Sequence, residues 1–161
     1  MRSVAALSAL VMLLPGPCRE SSEPVPRCKC GSRLTVYVLD PSGGVRSLPD
    51  GALLGEGDTI QVGYWVTGGH TAILSVDGRG VVTTHLPAPG EAIPWLARRG
   101  VLDHGFRLDD APDYERFFLV VDDVPLDLAS IRARVREDRI RDDPRLADEF
   151  EIRKPPHRKA R

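Results

Sequence analysis

Alternating hydrophobic and polar positions recur through the middle of the chain, and they predict short β-strands. The cleanest alternation covers residues 58–67, where every second side chain is apolar: Ile60, Val62, Tyr64 and Val66. Residues 34–39 are rich in β-branched and aromatic side chains and run into a Pro-Ser-Gly-Gly turn at 41–44. A shorter strand is predicted over residues 45–48, ahead of a second turn.

Two further stretches predict strands. Residues 71–76 and 81–86 flank Asp77-Gly78 and predict a hairpin, because Asp-Gly favours a two-residue turn. The apolar side chains expected to share one face of this hairpin are Ala72, Leu74, Val76 and Val81. Residues 115–121 (ERFFLVV) are apolar on both faces, which is typical of a strand in the centre of a sheet.

Helical periodicity begins after these strands. Asp127 is the expected N-cap of an amphipathic helix whose apolar residues recur at i, i+3 and i+7: Leu128, Ile131 and Val135. Pro144 predicts a second, short helix that ends near Phe150. Residues 153–161 form a basic, proline-bearing tail whose composition is typical of disorder.

About seven short strands with frequent turns and a closing helix predict a mainly β fold. The expected architecture is an antiparallel β-sandwich or a barrel-like domain with a C-terminal amphipathic helix. On this pattern the chain divides into a leader (1–18), a polar linker (19–32), a β-rich domain with its closing helix (33–138), and a short helix with a basic tail (139–161).

Residues 1–18 predict export. Arg2 precedes an uncharged run from Val4 to Leu14, and Pro15-Gly16-Pro17 ends it. The run is too short to span a membrane, which needs about 20 apolar residues, but it has the charged start and apolar middle of a secretory signal peptide. We therefore expect a secreted protein of the periplasm or cell envelope.

Cys18 leaves three fates open for this leader. Cleavage just before a cysteine that carries lipid is typical of bacterial lipoproteins, and the polar segment after Cys18 suits a membrane tether. Pro17, directly before the bond, disfavours that cleavage and favours an ordinary signal-peptidase cut. An uncleaved, membrane-associated N-terminus is the third alternative. Membrane anchoring through the N-terminus therefore depends on Cys18.

Cys28 and Cys30 form a Cys-x-Cys pair in the linker. An exported protein permits disulfides, but a bond between these two would close a strained ring. If Cys18 carries no lipid it can pair with either; if it does, the two remain as a thiol pair able to bind a soft metal or exchange disulfides. Incidental cysteines on a flexible segment are the plainer alternative, since two thiols supply only half of a structural zinc site.

Composition and motifs argue against several classes of function. The net charge of −1 gives no field that attracts nucleic acid, and the aromatic content of 6% is low for a surface that stacks bases. No Gly-rich phosphate loop, HExxH or GxSxG motif occurs. We therefore expect no enzymatic activity, no cofactor and no nucleic-acid partner.

His70 and His85 bracket the predicted hairpin. A two-residue turn would place them opposite each other on one face, close enough to share a metal. A hydrolytic alternative would use one of them with a serine such as Ser75 and an aspartate from 109–110 or 122–123. The spacing defines neither a third metal ligand nor a triad. We therefore favour the interpretation that His70 and His85 are two half-exposed histidines at the rim of the sheet, and we predict no metal-binding or catalytic residue.

Trp65 is the best candidate for an interaction residue. It falls on the polar side of its strand, where a solvent-facing aromatic is typical of interfaces. The alternative, which is favoured, is that the helix from Asp127 covers that face and buries Trp65. Trp95, in a longer connection, is expected to fill an edge of the core.

Several motifs occur in an order that resembles a known bacterial domain: Leu34-Thr-Val-Tyr-Val, Gly57-Asp58 before Ile60-Gln61-Val62, the hairpin around Asp77-Gly78 that ends in Pro87, Leu108-Asp109-Asp110, and Glu115-Arg116-Phe117-Phe118. That domain has no established function and occurs beside caspase-like peptidases, kinases and anti-sigma-type zinc-finger segments. The resemblance covers residues 33–135. It implies a β-sandwich-like accessory domain and no known catalytic residue.

The leading hypothesis is therefore an exported, non-enzymatic module for interaction or sensing that binds a protein partner. One alternative is a metal-binding or hydrolytic domain that uses His70 and His85. The other is a regulatory relative of anti-sigma-type proteins that docks through its Arg-rich helix.

Overall fold

The protein is mainly β in a computed structural model, which describes residues 31–40 and 43–155. The leader, Cys18, Cys28, Cys30 and the end of the basic tail lie outside those residues. The strands, numbered in chain order, are β1 (Arg33–Leu39), β2 (Val45–Ser47), β3 (Ala52–Leu53), β4 (Thr59–Trp65), β5 (Gly69–Asp77), β6 (Val82–Leu86), β7 (Trp95–Leu96), β8 (Arg99–Val101), β9 (Phe106–Arg107), β10 (Tyr114–Asp122) and β11 (Leu146–Arg153). Helix α1 covers Leu128–Arg136, and a 3₁₀ turn follows at Ile140–Asp142.

These strands form two sheets. The first has the order β2-β1-β4-β8, and β9 also pairs with β4. The second has the order β3-β11-β10-β5-β6, with β7 beside β5, and its one parallel pairing joins β3 to β11. The sheets pack against each other through a shared apolar core and do not close into a barrel. The predicted mainly β, sandwich-like fold is confirmed, with more strands than the seven expected.

The core between the sheets follows the alternation in β1 and β4. Every second side chain of these strands points inward and is less than a tenth exposed: Leu34, Val36, Val38, Ile60, Val62 and Tyr64. The side chains between them lie on the outer face of the first sheet. The inward set predicted for residues 58–67 is confirmed.

β10 lies in the centre of the second sheet, between β11 and β5, as its apolar sequence predicts. Phe117, Leu119 and Val121 belong to the core shared with the first sheet. Phe118 and Val120 face the opposite way and pack in the cluster that includes α1. A strand covered on both faces is stabilised by apolar residues at consecutive positions, which explains the uninterrupted run.

α1 covers the outer face of the second sheet. The Asp127 carboxylate accepts hydrogen bonds from the backbone N–H groups of Ala129 and Ser130, at 3.0 and 3.3 Å. Ile131 and Val135 are buried in the apolar cluster beneath the helix. The predicted amphipathic helix and its cap are confirmed. Within the described residues, no helix has the length and apolar character needed to cross a membrane.

The predicted short helix near the C-terminus is wrong. Residues 146–153 form β11, which pairs with β10 along its length and with β3 at its end. The apolar residues Phe150 and Ile152 point into the core at strand spacing. Pairing with the central strand β10 outweighs the local helix signal from Pro144. The β-rich unit therefore continues past residue 138.

The hairpin of β5 and β6 is confirmed, but its turn is longer than predicted. The Asp77 N–H donates to the Val81 carbonyl at 3.2 Å. Val76 consequently pairs with Val82, which is buried, whereas Val81 is 57% exposed. The prediction that Val81 shares the apolar face is wrong, because a change of one residue in register reverses the faces of a strand.

Candidate functional site

Side chains of three neighbouring strands meet in register on the outer face of the first sheet. Arg33 of β1 pairs with Trp65 of β4, and Trp65 pairs with Arg99 of β8. The guanidinium carbons of Arg33 and Arg99 lie 5.0 and 4.5 Å from the centre of the Trp65 ring. Each makes a cation–π contact at this distance. Trp65 is therefore held half-buried between two cations.

A groove of about 370 Å³ runs beside this row. Gly63 is the neighbour of Trp65 on the same face of β4, two residues earlier in the chain, and it has no side chain to fill the groove. An ideal Cβ at Gly63 would lie 2.9 Å from Cε2 of Tyr37. Val101, which is 52% exposed, pairs with Gly63 from the neighbouring strand. We call the row and groove together the Trp65 face, and its side chains are Arg33, Thr35, Tyr37, Trp65, Arg99 and Val101.

The Trp65 face carries positive charge and no negative charge. Among the described residues that line it, two are arginines and none is acidic, although the whole chain has a net charge of −1. α1 packs on the other sheet, so the prediction that this helix buries Trp65 is wrong. The alternative reading, an aromatic on the outer side of its strand, matches the structure.

Trp95 lies on the surface and does not fill the core. It begins β7, pairs with His70 and is 59% exposed. Its neighbour Leu96 is the residue that enters the core, with 7% exposure. The prediction for Trp95 is therefore wrong by one position along the chain, because alternation in β7 selects Leu96.

The structure does not bring His70 and His85 together. His70 lies at the start of β5, paired with Trp95 on one side and Asp122 on the other. His85 lies at an irregularity in the β5–β6 register and contacts Ser75. The predicted opposition is wrong, because the longer turn and this irregularity shift the pairing. Within the described residues, no three or more His, Cys, Asp or Glu side chains are grouped to hold a metal ion.

His85 instead belongs to a chain of buried polar side chains. Its Nε2 lies 2.9 Å from Oγ of Ser75, and Ser75 hydrogen-bonds to Glu115. Nζ of Lys154 lies 3.7 Å from Glu115 and 3.0 Å from Oδ1 of Asp109. We call Ser75, His85, Glu115 and Lys154 the buried polar cluster. It borders a pocket of about 220 Å³ between the sheets.

Burial determines the ionisation of this cluster. It lowers the pKa of His85 from 6.5 to about 4, with a further small effect of His104. The rings of Phe106 and Phe117 pack against the imidazole, with centroids 4.5 and 5.7 Å away. Burial also raises the pKa of Glu115, against the opposing effect of its hydrogen bond with Ser75. His85 is therefore neutral at neutral pH.

The cluster contains a serine, a histidine and a carboxylate, but not in the order of a catalytic triad. Glu115 hydrogen-bonds to Ser75, and Nε2 of His85 lies 2.9 Å from the same hydroxyl oxygen, so the acid bonds the serine and does not orient the histidine. In a triad the serine donates to the histidine, and the acid orients the histidine. Ser75 is also only 1% exposed. The geometry thus differs from the hydrolytic alternative, whose predicted acid is an aspartate.

Sequence reasoning missed Arg33, Arg99, Glu115 and Lys154. Alternation places Arg33 and Trp65 on the outer sides of their strands, but only the register makes them neighbours. Arg99 lies in a segment whose prolines and glycine carry no strand signal. The apolar run after Glu115 gives no sign that its first residue bonds a buried serine.

The fold and the Trp65 face define a mainly β, sandwich-like protein with a positively charged, aromatic surface on one sheet. Comparison with protein-family models, with curated proteins and with solved structures found no match. The resemblance to the bacterial domain of unknown function stays a prediction. Function is therefore argued from the site itself.

Proposed function

We propose that the protein is an exported interaction module without catalytic activity of its own, and that the Trp65 face binds an acidic segment of a partner protein. The row Arg33–Trp65–Arg99 carries the proposal, because one indole there holds two guanidinium groups beside a groove. The signal-like leader at residues 1–18 supports export.

The two arginines favour an anionic occupant. A guanidinium stacked on an indole keeps its N–H donors free at the edge, where they bind a carboxylate in a bidentate manner. Stacking on Trp65 also restricts Arg33 and Arg99 before binding, so less side-chain entropy is lost when a ligand arrives. No acidic residue lines the groove in the described part of the chain, so an incoming carboxylate meets no repulsion.

The strand order favours an extended peptide. β8 is the last strand of the first sheet, and no strand of the described chain pairs with its free edge in the sheet order. A free edge accepts an extended segment through main-chain hydrogen bonds. An acidic strand laid along β8 would place alternate carboxylates beside Arg99. A peptide segment therefore suits this surface better than an anionic polysaccharide does.

Poly-L-glutamate is expected to bind the full chain and to change the fluorescence of Trp65. The titration uses a Trp95→Phe background, which leaves Trp65 as the remaining one of the two tryptophans. Arg99→Ala is expected to weaken binding about tenfold, or about 1.4 kcal/mol, because it removes one of the two cations. Added salt is expected to weaken binding further, since the contact is exposed.

Arg136→Ala is the matched control for this titration. It removes one exposed cation from α1, on the other sheet, and is expected to keep the affinity of the parent protein. An equal loss of affinity in Arg99→Ala and Arg136→Ala would show that only the net charge of the protein matters, which would contradict the proposal. Tighter binding of heparin than of poly-L-glutamate would contradict it as well.

A further inference from the structure

The hydrogen bonds between β8 and β4 show which residues of β8 face the free edge of the first sheet. The Val66 N–H donates to the Arg98 carbonyl at 3.0 Å, and the Leu102 N–H donates to the Val62 carbonyl at 2.9 Å. Main-chain groups point to alternate sides along an antiparallel strand. The even-numbered residues of this segment therefore bond β4, and the N–H and C=O groups of its odd-numbered residues point to the edge.

Arg99 and Val101 are the odd-numbered residues of β8, and no strand of the described chain pairs with them on that edge. Each ends a row of three side chains across the outer face of the sheet. The first row carries charge and is the row Arg33–Trp65–Arg99. The second row lies two residues along each strand and is neutral, since it contains Thr35, Gly63 and Val101.

In extension of the proposed function, on which this inference rests, we infer that the partner segment carries an acidic and an apolar residue separated by one residue. A strand added to β8 extends each row by one side chain, because opposed residues of paired strands share a face. The carboxylate extends the charged row beside Arg99. The apolar side chain extends the neutral row against Val101, and the residue between them points to the opposite face.

Val101 favours an apolar neighbour over a second carboxylate. Its side chain is 52% exposed, so an apolar side chain laid against it removes apolar surface of both from water. The neutral row supplies no cation, so a carboxylate at its end would lose hydration without gaining an ion pair. The two rows thus select one acidic and one apolar side chain at strand spacing, which a uniformly acidic segment lacks.

Two capped peptides of equal composition and charge test the spacing. The spaced peptide is Thr-Val-Thr-Glu-Thr-Val-Thr, and the adjacent peptide is Thr-Thr-Val-Glu-Val-Thr-Thr. Valines on both sides of the glutamate serve either direction of the added strand. Titration of the full chain in the Trp95→Phe background, followed by Trp65 fluorescence, measures both affinities. The spaced peptide is expected to bind about tenfold more tightly, because only its valine covers Val101 while the glutamate lies beside Arg99.

Val101→Thr is expected to bind the two peptides with equal affinity, because it puts a hydroxyl in place of an apolar group at the end of the neutral row. Val45→Thr is the matched control. Val45 is 68% exposed on β2, at the opposite edge of the same sheet, and its substitution is expected to keep the preference for the spaced peptide. Arg99→Ala is expected to weaken the binding of both peptides by the same factor, since both carry the glutamate.

Methylation of the three central main-chain nitrogens of the spaced peptide tests pairing with the edge of β8. The methylated peptide is expected to bind no more tightly than the adjacent peptide, because it lacks the N–H groups that bond an edge strand. Undiminished binding of the methylated peptide overturns the inference, as does failure of the spaced peptide to bind more tightly than the adjacent one. If poly-L-glutamate still binds through Arg99 in that case, the proposed function stands without the spacing rule.

Discussion

Gly78→Ala is expected to lower the free energy of unfolding by about 4 kcal/mol. Gly78 packs against the backbone of Pro112, where an ideal Cβ would collide with the carbonyl oxygen and lie 2.8 Å from the carbonyl carbon. Both backbones are held in place, because the Gly78 N–H donates to the Tyr114 carbonyl at 3.0 Å and the Tyr114 N–H donates to the Pro112 carbonyl at 2.8 Å. Urea denaturation at neutral pH, followed by tryptophan fluorescence, measures the loss.

Gly80→Ala, in the same turn, is the matched control. Gly80 has a φ of +79° and no atom within 4 Å of its ideal Cβ. Its substitution therefore strains the backbone without a collision and is expected to cost about 1 kcal/mol. Equal losses in the two variants would show that contact with Pro112 is not the cause. A large loss of free energy of unfolding in Gly78→Ala alone would show that packing of the turn against Pro112, just before β10, stabilises the fold.

Acidification is expected to lower the free energy of unfolding by about 3 kcal/mol through His85 alone. Burial holds the pKa of His85 at about 4 in the folded protein, against 6.5 for an exposed histidine. Between pH 6.5 and about 4, His85 is protonated in the unfolded chain but stays neutral in the folded protein. His85 therefore does not change the free energy of unfolding above pH 6.5, and it lowers that free energy progressively as the pH falls from 6.5 toward 4. Urea denaturation across this range measures it.

Glu115 acts in the opposite direction. Burial raises its pKa, so its protonation favours the folded state on acidification and offsets part of the loss in the acidic end of the range. Lys154, Asp77 and Asp109 are the other charged groups that act on this carboxylate, and of the three only Lys154 favours its ionised form. The net fall in stability is thus expected to be smaller than the fall that His85 alone would cause.

His85→Leu and His104→Gln separate this effect from general acid denaturation. His85→Leu removes the buried imidazole, and the fall in stability between pH 6.5 and about 4 is expected to flatten. His104 is exposed on the neighbouring segment, so its replacement is expected to keep most of the fall. The same pH dependence in His85→Leu as in the unchanged protein would refute the assignment.

Prediction from sequence succeeded where the physical cause is local. The period of two in residues 58–67, the apolar run of β10 and the cap at Asp127 each follow from a few adjacent residues, and the structure confirms all three. It failed at Pro144, where the local signal favours a helix but β10 offers a strand partner. It failed again at Val81, because the length of the turn depends on how Asp77 bonds within it.

The residues of the candidate site were likewise predictable only where their role follows from local sequence. Trp65 stood out from its strand pattern alone, since a large aromatic on a polar face is a local anomaly. The arginines that flank it come from strands far apart in sequence, and no local pattern connects them. Ser75 and His85 were both candidates from residue type, but their partners Glu115 and Lys154 belong to distant strands or their ends.

Alternation and capping act over a few residues, so they predict most of the main strands and which of their side chains point into the core. The strand order, the register that aligns Arg33, Trp65 and Arg99, and the sheet that α1 covers follow from tertiary contacts. Those features depend on pairing between strands distant in the chain, where turn length and competition for hydrogen-bonding edges select one arrangement. The surface proposed to bind a partner exists only because that pairing places two arginines on one indole.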